Sequence, residues 1–280
     1  MQLKAFINNR AKKEKLRPQH VMQIYMLERF LERVSLSKYK SNFIFKGGVL
    51  ISSILGLNAR TTMDMDTTMK GFPLTHDAIR NIFNEICTIA VDDEIEFELV
   101  AVSDIRKGGH DPGIRITLNA NYPPIKAPFT IDVTSGDVIT PKEIEYDFPF
   151  FFENRKVTIF AYTPETVLAE KIEAVLSRGT ESTRPRDYYD IYMIYTFHRD
   201  IFDVRTLRLA LERTADKRGS GNLLNRYHEL IEEIRSSRNI HRHWKKYQQD
   251  FSYAAGISFE QICDAIEELM QSVMTRQPPK

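Results

Sequence analysis

The feature that most constrains the fold is a change in hydrophobic periodicity about halfway along the chain. Up to about residue 145, short runs that alternate as strands do are mixed with amphipathic helical segments. From Thr163 onward, every segment repeats its apolar residues at helical spacing. Mixed strands and helices followed by helices alone indicate an α+β lobe followed by an all-helical lobe. The sequence therefore predicts an α+β fold class, with a first lobe over residues 1–155 and a helical lobe over residues 156–280.

The composition limits the cellular compartments and the kinds of partner that can be expected. Thirty-nine Lys and Arg residues against 38 Asp and Glu residues give a net charge of +1, so any nucleic-acid surface has to be local. The two cysteines, Cys87 and Cys263, lie far apart in helix-like segments and are expected to be free thiols in a reducing compartment. The N-terminal segment lacks the apolar region of a secretory signal, and no apolar run reaches membrane-spanning length. We expect a cytoplasmic protein that does not associate with a membrane.

Several elements of the first lobe can be placed from their patterns. A helix is expected over 18–34, and a second helix follows Thr75, whose hydroxyl is a suitable N-cap. Alternating segments predict strands, at 63–69, 94–102, 113–122, 129–136 and 156–162.

Two aspartates lie two residues apart in the segment RTTMDMDTTM. Because alternate side chains of a strand share a face, Asp64 and Asp66 are expected to point the same way and to repel each other. A divalent cation between them makes the pair favourable, and Mg²⁺ prefers one or two carboxylates together with substrate phosphate oxygens. The pair therefore indicates a metal platform for phosphoryl or nucleotidyl transfer. The alternative is a solvated strand face with two exposed aspartates.

Two further segments support the platform. In FIFKGGV, Gly47 and Gly48 follow a strand and begin a helix, a turn that brings backbone amides close to an anion such as a triphosphate. The alternative for this glycine pair is a simple tight turn. In FTIDVTSGD, alternation places Asp132 on the polar face of a second strand, as a third carboxylate. Asp137 competes with Asp132 for that role.

The order of these motifs is that of the polymerase-beta-like nucleotidyltransferase fold. Together, the segments FKGGVLISSILGLNARTTMDMD, EKIEAVLSR and RPRDYYDIY resemble the AbiEii/AbiGii toxin family, over roughly residues 40–200. The resemblance implies a polymerase-beta-like nucleotidyltransferase lobe, with a mixed sheet and flanking helices, followed by an all-helical lobe. It also implies an NTP substrate, with Mg²⁺ or Mn²⁺ as cofactor.

The resemblance assigns roles to matching positions. The catalytic residues are expected to be Asp64, Asp66, Asp132, Lys171 and Asp187. The metal ligands among them are Asp64, Asp66 and Asp132. The nucleotide-binding residues are expected to be Lys46, Gly47, Gly48, Thr62 and Lys171. The chain departs from the pattern of many nucleotidyltransferases by having Gly-Gly where they have Gly-Ser. Thr62 stands where the family commonly has Ser and either bonds a phosphate or simply suits a strand.

The helical lobe contributes a lysine and an aspartate. Lys171 lies on a stripe of the helix that also carries apolar residues; it either extends to water or holds nucleotide phosphates, and the resemblance favours the second role. Asp187 lies in the first turn of a helix, where a carboxylate stabilises the helix whatever its role. The resemblance implies that Asp187 acts as a base or orients Lys171. A basic run around Trp244 either contacts RNA or forms a solvated helix face.

The predicted function is that of a metal-dependent nucleotidyltransferase. The resemblance implies the toxin of a bacterial toxin–antitoxin or abortive-infection system, which transfers NMP to an acceptor hydroxyl, with the 3′ end of tRNA as acceptor. It also implies a cognate antitoxin that is a DNA-binding repressor. The alternatives are a housekeeping transferase acting on a small molecule or protein, and a non-catalytic binding protein.

Overall fold

The computed structural model describes residues 3–14, 16–56, 60, 62, 64–105 and 113–275. The chain divides into two compact units, Met1–Asp137 with Ile144–Ala161, and Val138–Glu143 with Tyr162–Lys280. The sequence predicted a boundary at residues 155/156; in these compact units the first ends at Ala161, and the short segment Val138–Glu143 groups with the second. Within the described ranges, no helix is long and apolar enough to cross a membrane.

The first unit contains all seven strands that the structure describes, together with four helices. The strands are β1 (Phe43–Lys46), β2 (Met65–Met69), β3 (Glu96–Asp104), β4 (Gly113–Tyr122), β5 (Ile125–Ser135), β6 (Ile144–Pro149) and β7 (Lys156–Ala161). The helices are α1 (Leu3–Glu14), α2 (Pro18–Leu36), α3 (Gly47–Leu55) and α4 (His76–Cys87).

The strands form one mixed sheet in the order β3-β4-β5-β2-β1-β7-β6. β2 pairs with β5, and β1 pairs with β7, in parallel, whereas the other neighbours are antiparallel. This arrangement confirms the predicted α+β fold with a mixed sheet and flanking helices. Because β7 adds to β1 in the sheet, it belongs to the first unit, although its sequence lies beyond residue 155.

The core of the first unit lies on one face of this sheet. Phe129 of β5 packs against Phe30 of α2 and Phe97 of β3, with ring centroids 5.9 Å apart in both pairs. Phe30 also stacks on Phe83 of α4, at 5.7 Å. Since side chains alternate along a strand, Asp132 of β5 points to the face opposite Phe129. The helices thus cover one face and leave polar side chains on the other.

The second unit is helical throughout its described elements. Its helices are α5 (Pro164–Arg178), α6 (Pro185–Phe197), α7 (Val204–Arg218), α8 (Gly221–Leu224), α9 (Tyr227–Ser236), α10 (Arg238–Asp250) and α11 (Phe259–Thr275). α5 begins after Thr163, whose hydroxyl accepts a hydrogen bond from the Thr166 amide at 3.2 Å. Trp244 of α10 is buried, and its indole nitrogen donates to the Ile257 carbonyl at 3.0 Å. Trp244 therefore packs in the core of this unit and offers no ring to RNA, contrary to one of the two interpretations of the basic run.

Three elements differ from the patterns in the sequence. β6 was not predicted, and the basic N-terminal segment forms the helix α1. The strand predicted from residue 63 is described from Met65, so Asp64 lies immediately before β2 while Asp66 lies within it.

Candidate active site

The glycine turn lies directly against the second aspartate of the D-x-D pair. Gly47 begins α3 with φ of +66°, and a Cβ atom there would stand 2.3 Å from Oδ2 of Asp66. A Cβ atom on Gly48 would stand 2.4 Å from Oγ1 of Thr62. Only glycine permits both approaches. Four of the predicted site residues therefore meet at the N-terminus of α3, where helix amides attract anions.

The sheet register brings a third carboxylate beside this turn. Lys46 of β1 is the Cα partner of Asp66 on β2, and Asp66 is in turn the partner of Asp132 on β5. Arg115 of β4 is the next partner of Asp132. Registered partners on neighbouring strands share a face. A row of charged side chains therefore crosses four strands, with two adjacent aspartates between two cations; we call Lys46, Asp66, Asp132 and Arg115 the charged row.

Arg115 holds Asp132 through two hydrogen bonds. Its Nε donates to Oδ1 at 2.7 Å and its Nη2 to Oδ2 at 2.8 Å. The hydrogen bond and then the charge of Asp132 raise the pKa of Arg115, and the charges of Asp64 and Asp66 add to the effect. Sequence reasoning missed Arg115, although its place between Ile114 and Ile116 put a cation on the polar face of β4.

Lys46 has a different carboxylate partner, Asp137. The Lys46 ammonium donates to Oγ1 of Thr134 at 2.8 Å and forms an ion pair with Asp137. Burial acts to raise the pKa of Asp137, but the charge and hydrogen bond of Lys46 outweigh it, so the pKa is lowered and the carboxylate stays ionised. Of the two candidates for third carboxylate, Asp132 is thus the one in register with Asp66, while Asp137 forms an ion pair with Lys46.

The carboxylates of this unit suit a hard divalent cation. Asp64 is exposed just before β2, and Asp66 and Asp132 are side by side. No group of three or more His, Cys, Asp or Glu side chains in the described ranges is arranged to hold a metal ion. Mg²⁺, however, is commonly held by one or two carboxylates together with phosphate oxygens of the substrate, and this donor set fits that requirement.

The predicted lysine and aspartate of the second unit contact each other. The Lys171 ammonium lies 2.8 Å from Oδ1 of Asp187 and 2.8 Å from Oδ2 of Asp190. Arg178 approaches the other oxygen of Asp187 at 3.5 Å. Asp190 is fully buried and was not among the predicted site residues, although it lies one turn beyond Asp187 on the same helix face. The structure thus shows Lys171 oriented by two carboxylates.

The fold is that of solved nucleotidyltransferases. MenT4, a nucleotidyltransferase toxin from Mycobacterium tuberculosis, superimposes with a TM-score of 0.53 at 14% identity, over 96% of this chain and 98% of that chain. A candidate nucleotidyltransferase from H. pylori gives a TM-score of 0.52 at 13% identity, over 92% of this chain and 97% of that chain. At these identities the likeness concerns the fold. A search of curated proteins gave no significant match.

The sequence itself decides the family. The family described as "Nucleotidyl transferase AbiEii toxin, Type IV TA system" matches residues 29–267. The chain belongs to this family, so it is a nucleotidyltransferase-type enzyme and the toxin of a type IV toxin–antitoxin system. Membership implies an NTP substrate and an antitoxin partner.

Proposed function

We propose that this toxin transfers NMP from an NTP to the 3′ end of tRNA in a reaction that depends on Mg²⁺ or Mn²⁺. The observation that carries the proposal is the contact of the Gly47 turn with Asp66, because a helix N-terminus attracts phosphate and here it lies beside a carboxylate. In the reaction, the acceptor hydroxyl oxygen forms a bond to the α-phosphorus of the NTP. The bond from that phosphorus to the bridging oxygen breaks, pyrophosphate leaves, and the hydroxyl proton passes to a carboxylate or to water.

Each residue of the first unit has a defined part in this proposal. Gly47 and Gly48 hold the triphosphate through their amides, and Thr62 donates its hydroxyl to a phosphate oxygen. Asp64, Asp66 and Asp132 would hold the metal ion, with Asp132 oriented by Arg115. The metal, when bound, neutralises charge that develops on the phosphate oxygens. Lys46 adds a cation at the beginning of α3, fixed by Thr134 and Asp137.

Lys171 and Asp187 remain predicted catalytic residues in the second unit. Their contact supports the prediction that Asp187 orients Lys171, and Asp190 joins it as a second orienting carboxylate. Lys171 would steady the triphosphate. Because two carboxylates hold its ammonium, the lysine is fixed in position, as a phosphate ligand requires.

The remaining parts of the proposal rest on the toxin family. A toxin that modifies tRNA in the cytoplasm would stop growth by removing an acceptor that translation needs, and abortive infection is one use of such arrest. The antitoxin is proposed to be a DNA-binding repressor.

A transfer assay tests the proposal. Each α-labelled NTP is incubated with total tRNA and Mg²⁺, with the wild-type protein and with Asp64→Asn/Asp66→Asn. We expect label on tRNA from the wild type, and a loss on the order of a hundredfold or more in the variant and in EDTA. The matched control is Glu145→Gln/Asp147→Asn, which removes two exposed carboxylates at the same spacing on the edge strand β6.

The outcomes separate the alternatives. If tRNA stays unlabelled while the protein binds NTP in a Mg²⁺-dependent way, tRNA is not the acceptor. Label on a metabolite or on a protein would then indicate a housekeeping transferase. If the protein shows no Mg²⁺-dependent NTP binding, the proposed catalytic activity is wrong, and the alternative of a non-catalytic binding protein remains. Equal loss in the Glu145/Asp147 variant assigns the effect to surface charge.

A further inference from the structure

A cleft separate from the charged row lies between α1, α2 and the beginning of β5. Its volume is about 530 Å³, within the range of roughly 300–1,000 Å³ typical of small-ligand sites. Its floor is apolar and includes Ile7, Met26 and Phe129, all of which are buried. Its wall carries the amide side chains of Asn8, Gln19 and Gln23. An apolar floor with several amides at the wall suits a flat heterocycle that also forms hydrogen bonds.

The charge of the cleft is positive. Lys4 and Lys126 line it, and none of the described residues that line it is acidic. Lys126 lies 3.4 Å from Glu98, a pair in which both side chains are more than half exposed and which therefore contributes little. Further exposed cations continue from the cleft along α1 and its connection to α2, at Lys12, Lys13 and Arg17. Among the described residues, Lys4 and these three cations have no ion-pair partner.

We propose that this cleft binds an unpaired nucleotide of the acceptor RNA, with the base on the apolar floor and the flanking phosphates on the lysines. Amides and apolar side chains recognise an unstacked base, and lysines neutralise the backbone of a single strand. Methionines at the floor and wall adapt to a flat ring of either size. The inference rests on the proposed RNA acceptor and names a second contact with it.

An RNA nucleotide fits the charges better than a free nucleotide does. Lys12, Lys13 and Arg17 do not line the cleft, so a ligand confined to the cleft leaves them unused. A polynucleotide has phosphates on both sides of the bound base and can reach them. β5 connects the cleft to the charged row, since Lys126 and Asp132 lie six residues apart on that strand. At 3.3 Å per residue, this separation is roughly 20 Å along the strand. Because Phe129 at the cleft floor and Asp132 point to opposite faces of the sheet, an RNA substrate reaches both by passing around the end of the β4–β5 pair, at Tyr122 and Ile125.

The first test is a matched pair of charge changes on one helix. Asn8→Asp places a carboxylate in the cleft without changing the size of the side chain, whereas Asn9→Asp makes the same change at the next, exposed residue, which does not line the cleft. Binding of fluorescent tRNA is measured by anisotropy, and thermal melting confirms that both variants fold. We expect Asn8→Asp to weaken binding roughly tenfold, because it removes an amide donor and repels phosphate, and Asn9→Asp to change it by less than about threefold. Equal effects of the two variants would overturn the proposal.

The salt dependence of binding provides a second, independent measurement. Each phosphate neutralised on a single strand contributes about 0.7 to the slope of log affinity against log salt concentration. Lys4→Ala/Lys126→Ala should therefore lower the magnitude of the slope by about 1.4. The control Lys245→Ala/Lys246→Ala removes two exposed cations from α10. If the slope decreases in magnitude for the control but not for the cleft variant, RNA contacts α10, and the proposed binding at the cleft is wrong.

Photocrosslinking separates this inference from the proposed function and identifies the ligand. RNA containing 4-thiouridine is irradiated with wild-type protein and with Asp64→Asn/Asp66→Asn, and crosslinked peptides are identified by mass spectrometry. Crosslinks to Met22 or Met26 in both proteins support the cleft, even if tRNA receives no label in the transfer assay. If the transfer assay labels tRNA but no crosslink forms at the cleft, the proposed RNA contact at the cleft is wrong and the proposed function stands. 4-thio-UTP alone is also irradiated with the protein. If it crosslinks at the cleft and added RNA does not displace it, the cleft binds a free nucleotide and not RNA. If RNA binds to neither protein, the proposal is wrong, and a protein partner becomes the alternative ligand of the cleft.

Discussion

Gly47 shows how much of the candidate site depends on a single missing side chain. Its positive φ is accessible to glycine at little cost, and its Cα lies where any Cβ would meet the Asp66 carboxylate. The positive φ belongs to the tight entry into α3 that Lys-Gly-Gly encodes locally, whereas the approach of Asp66 follows from the pairing of β1 with β2.

Gly47→Ala should therefore impair transfer more than it impairs folding. The positive φ costs an alanine about 1–2 kcal/mol of stability, and the new methyl group displaces the carboxylate of Asp66. Gly219→Ala is the control, because Gly219 has φ of +68° and open space around its Cβ position. Urea denaturation should show similar losses of stability for both variants, while NTP transfer should fall only for Gly47→Ala. Similar transfer rates in the two variants would contradict the role given to the Gly47–Asp66 contact.

Arg115 provides a second prediction at this scale. It neutralises Asp132 beside Asp66, so Arg115→Met should increase the negative charge of the charged row and strengthen the attraction for Mg²⁺. Because Arg115 is half exposed, we expect only a two- to fivefold decrease, roughly, in the Mg²⁺ concentration that gives half-maximal NTP binding. Transfer should slow, since Asp132 loses the two bonds that orient it, and Arg115→Lys should not restore it fully because an ammonium cannot bond both oxygens in the same geometry. An unchanged or higher Mg²⁺ requirement in Arg115→Met would contradict the charge argument.

At the scale of elements, α2 carries buried charges as well as apolar residues. Arg33 bonds both oxygens of Asp93 at 2.7 and 2.8 Å, and Glu32 forms an ion pair with Arg155. Glu28 accepts a hydrogen bond from the Phe151 amide at 2.6 Å. These contacts attach α2 to the segments that precede β3 and β7, so the helix is anchored by charge as well as by its phenylalanine.

Glu28 makes the stability of the first unit dependent on pH. Burial raises its pKa from 4.5 to about 8, although the Phe151 hydrogen bond and the charge of Arg29 act in the opposite direction. Between these pH values the folded protein holds a proton that the unfolded chain releases, so stability falls as the pH rises. The contribution of one group reaches about 1.4 kcal/mol per pH unit.

Glu28→Gln should remove that contribution, because the amide keeps an oxygen for the Phe151 amide and has no charge to bury. We expect the variant to lose less stability than the wild type between pH 5 and pH 8 in urea denaturation. Glu96→Gln, an exposed position on β3, should leave the wild-type slope unchanged. Parallel pH profiles for the wild type and Glu28→Gln would show that Glu28 is ionised throughout this range.

At the scale of the whole molecule, ligand binding should increase the free energy of unfolding. A ligand present at a hundred times its dissociation constant stabilises the folded state by about 2.7 kcal/mol. A non-hydrolysable NTP with Mg²⁺ should therefore raise the melting temperature of the wild type, and neither component should do so fully alone. Asp64→Asn/Asp66→Asn should lose most of the increase. An equal increase in that variant would place the nucleotide at a site that does not use these aspartates.

Several features could be predicted from the sequence because their causes are local. The bounds of α5 follow from a threonine N-cap, a proline in the first turn and a glycine after the last turn. The alternation in β5 identified which of its side chains are buried, and the membership of the toxin family followed from motifs within about 160 residues. β6 alternates Ile144, Tyr146 and Phe148 with charged residues, as a half-buried strand does, but this short segment between two prolines was not identified as a strand. α1 was missed because its polar and basic residues leave only a narrow apolar stripe.

The sequence alone thus determined the α+β class, most helices, the glycine turn and the candidate residues Asp64, Asp66, Asp132, Lys171 and Asp187. Periodicity, capping and motif spacing are properties of neighbouring residues, and they need no knowledge of the rest of the chain. Only the tertiary structure decided that Asp132 lies beside Asp66, that Arg115 holds it, and that a cleft opens between α1, α2 and β5. These relations depend on strand order and register, in which β5 inserts next to β2 after two intervening strands. Such pairings arise from packing energy summed over the whole unit, and no local pattern in the chain encodes them.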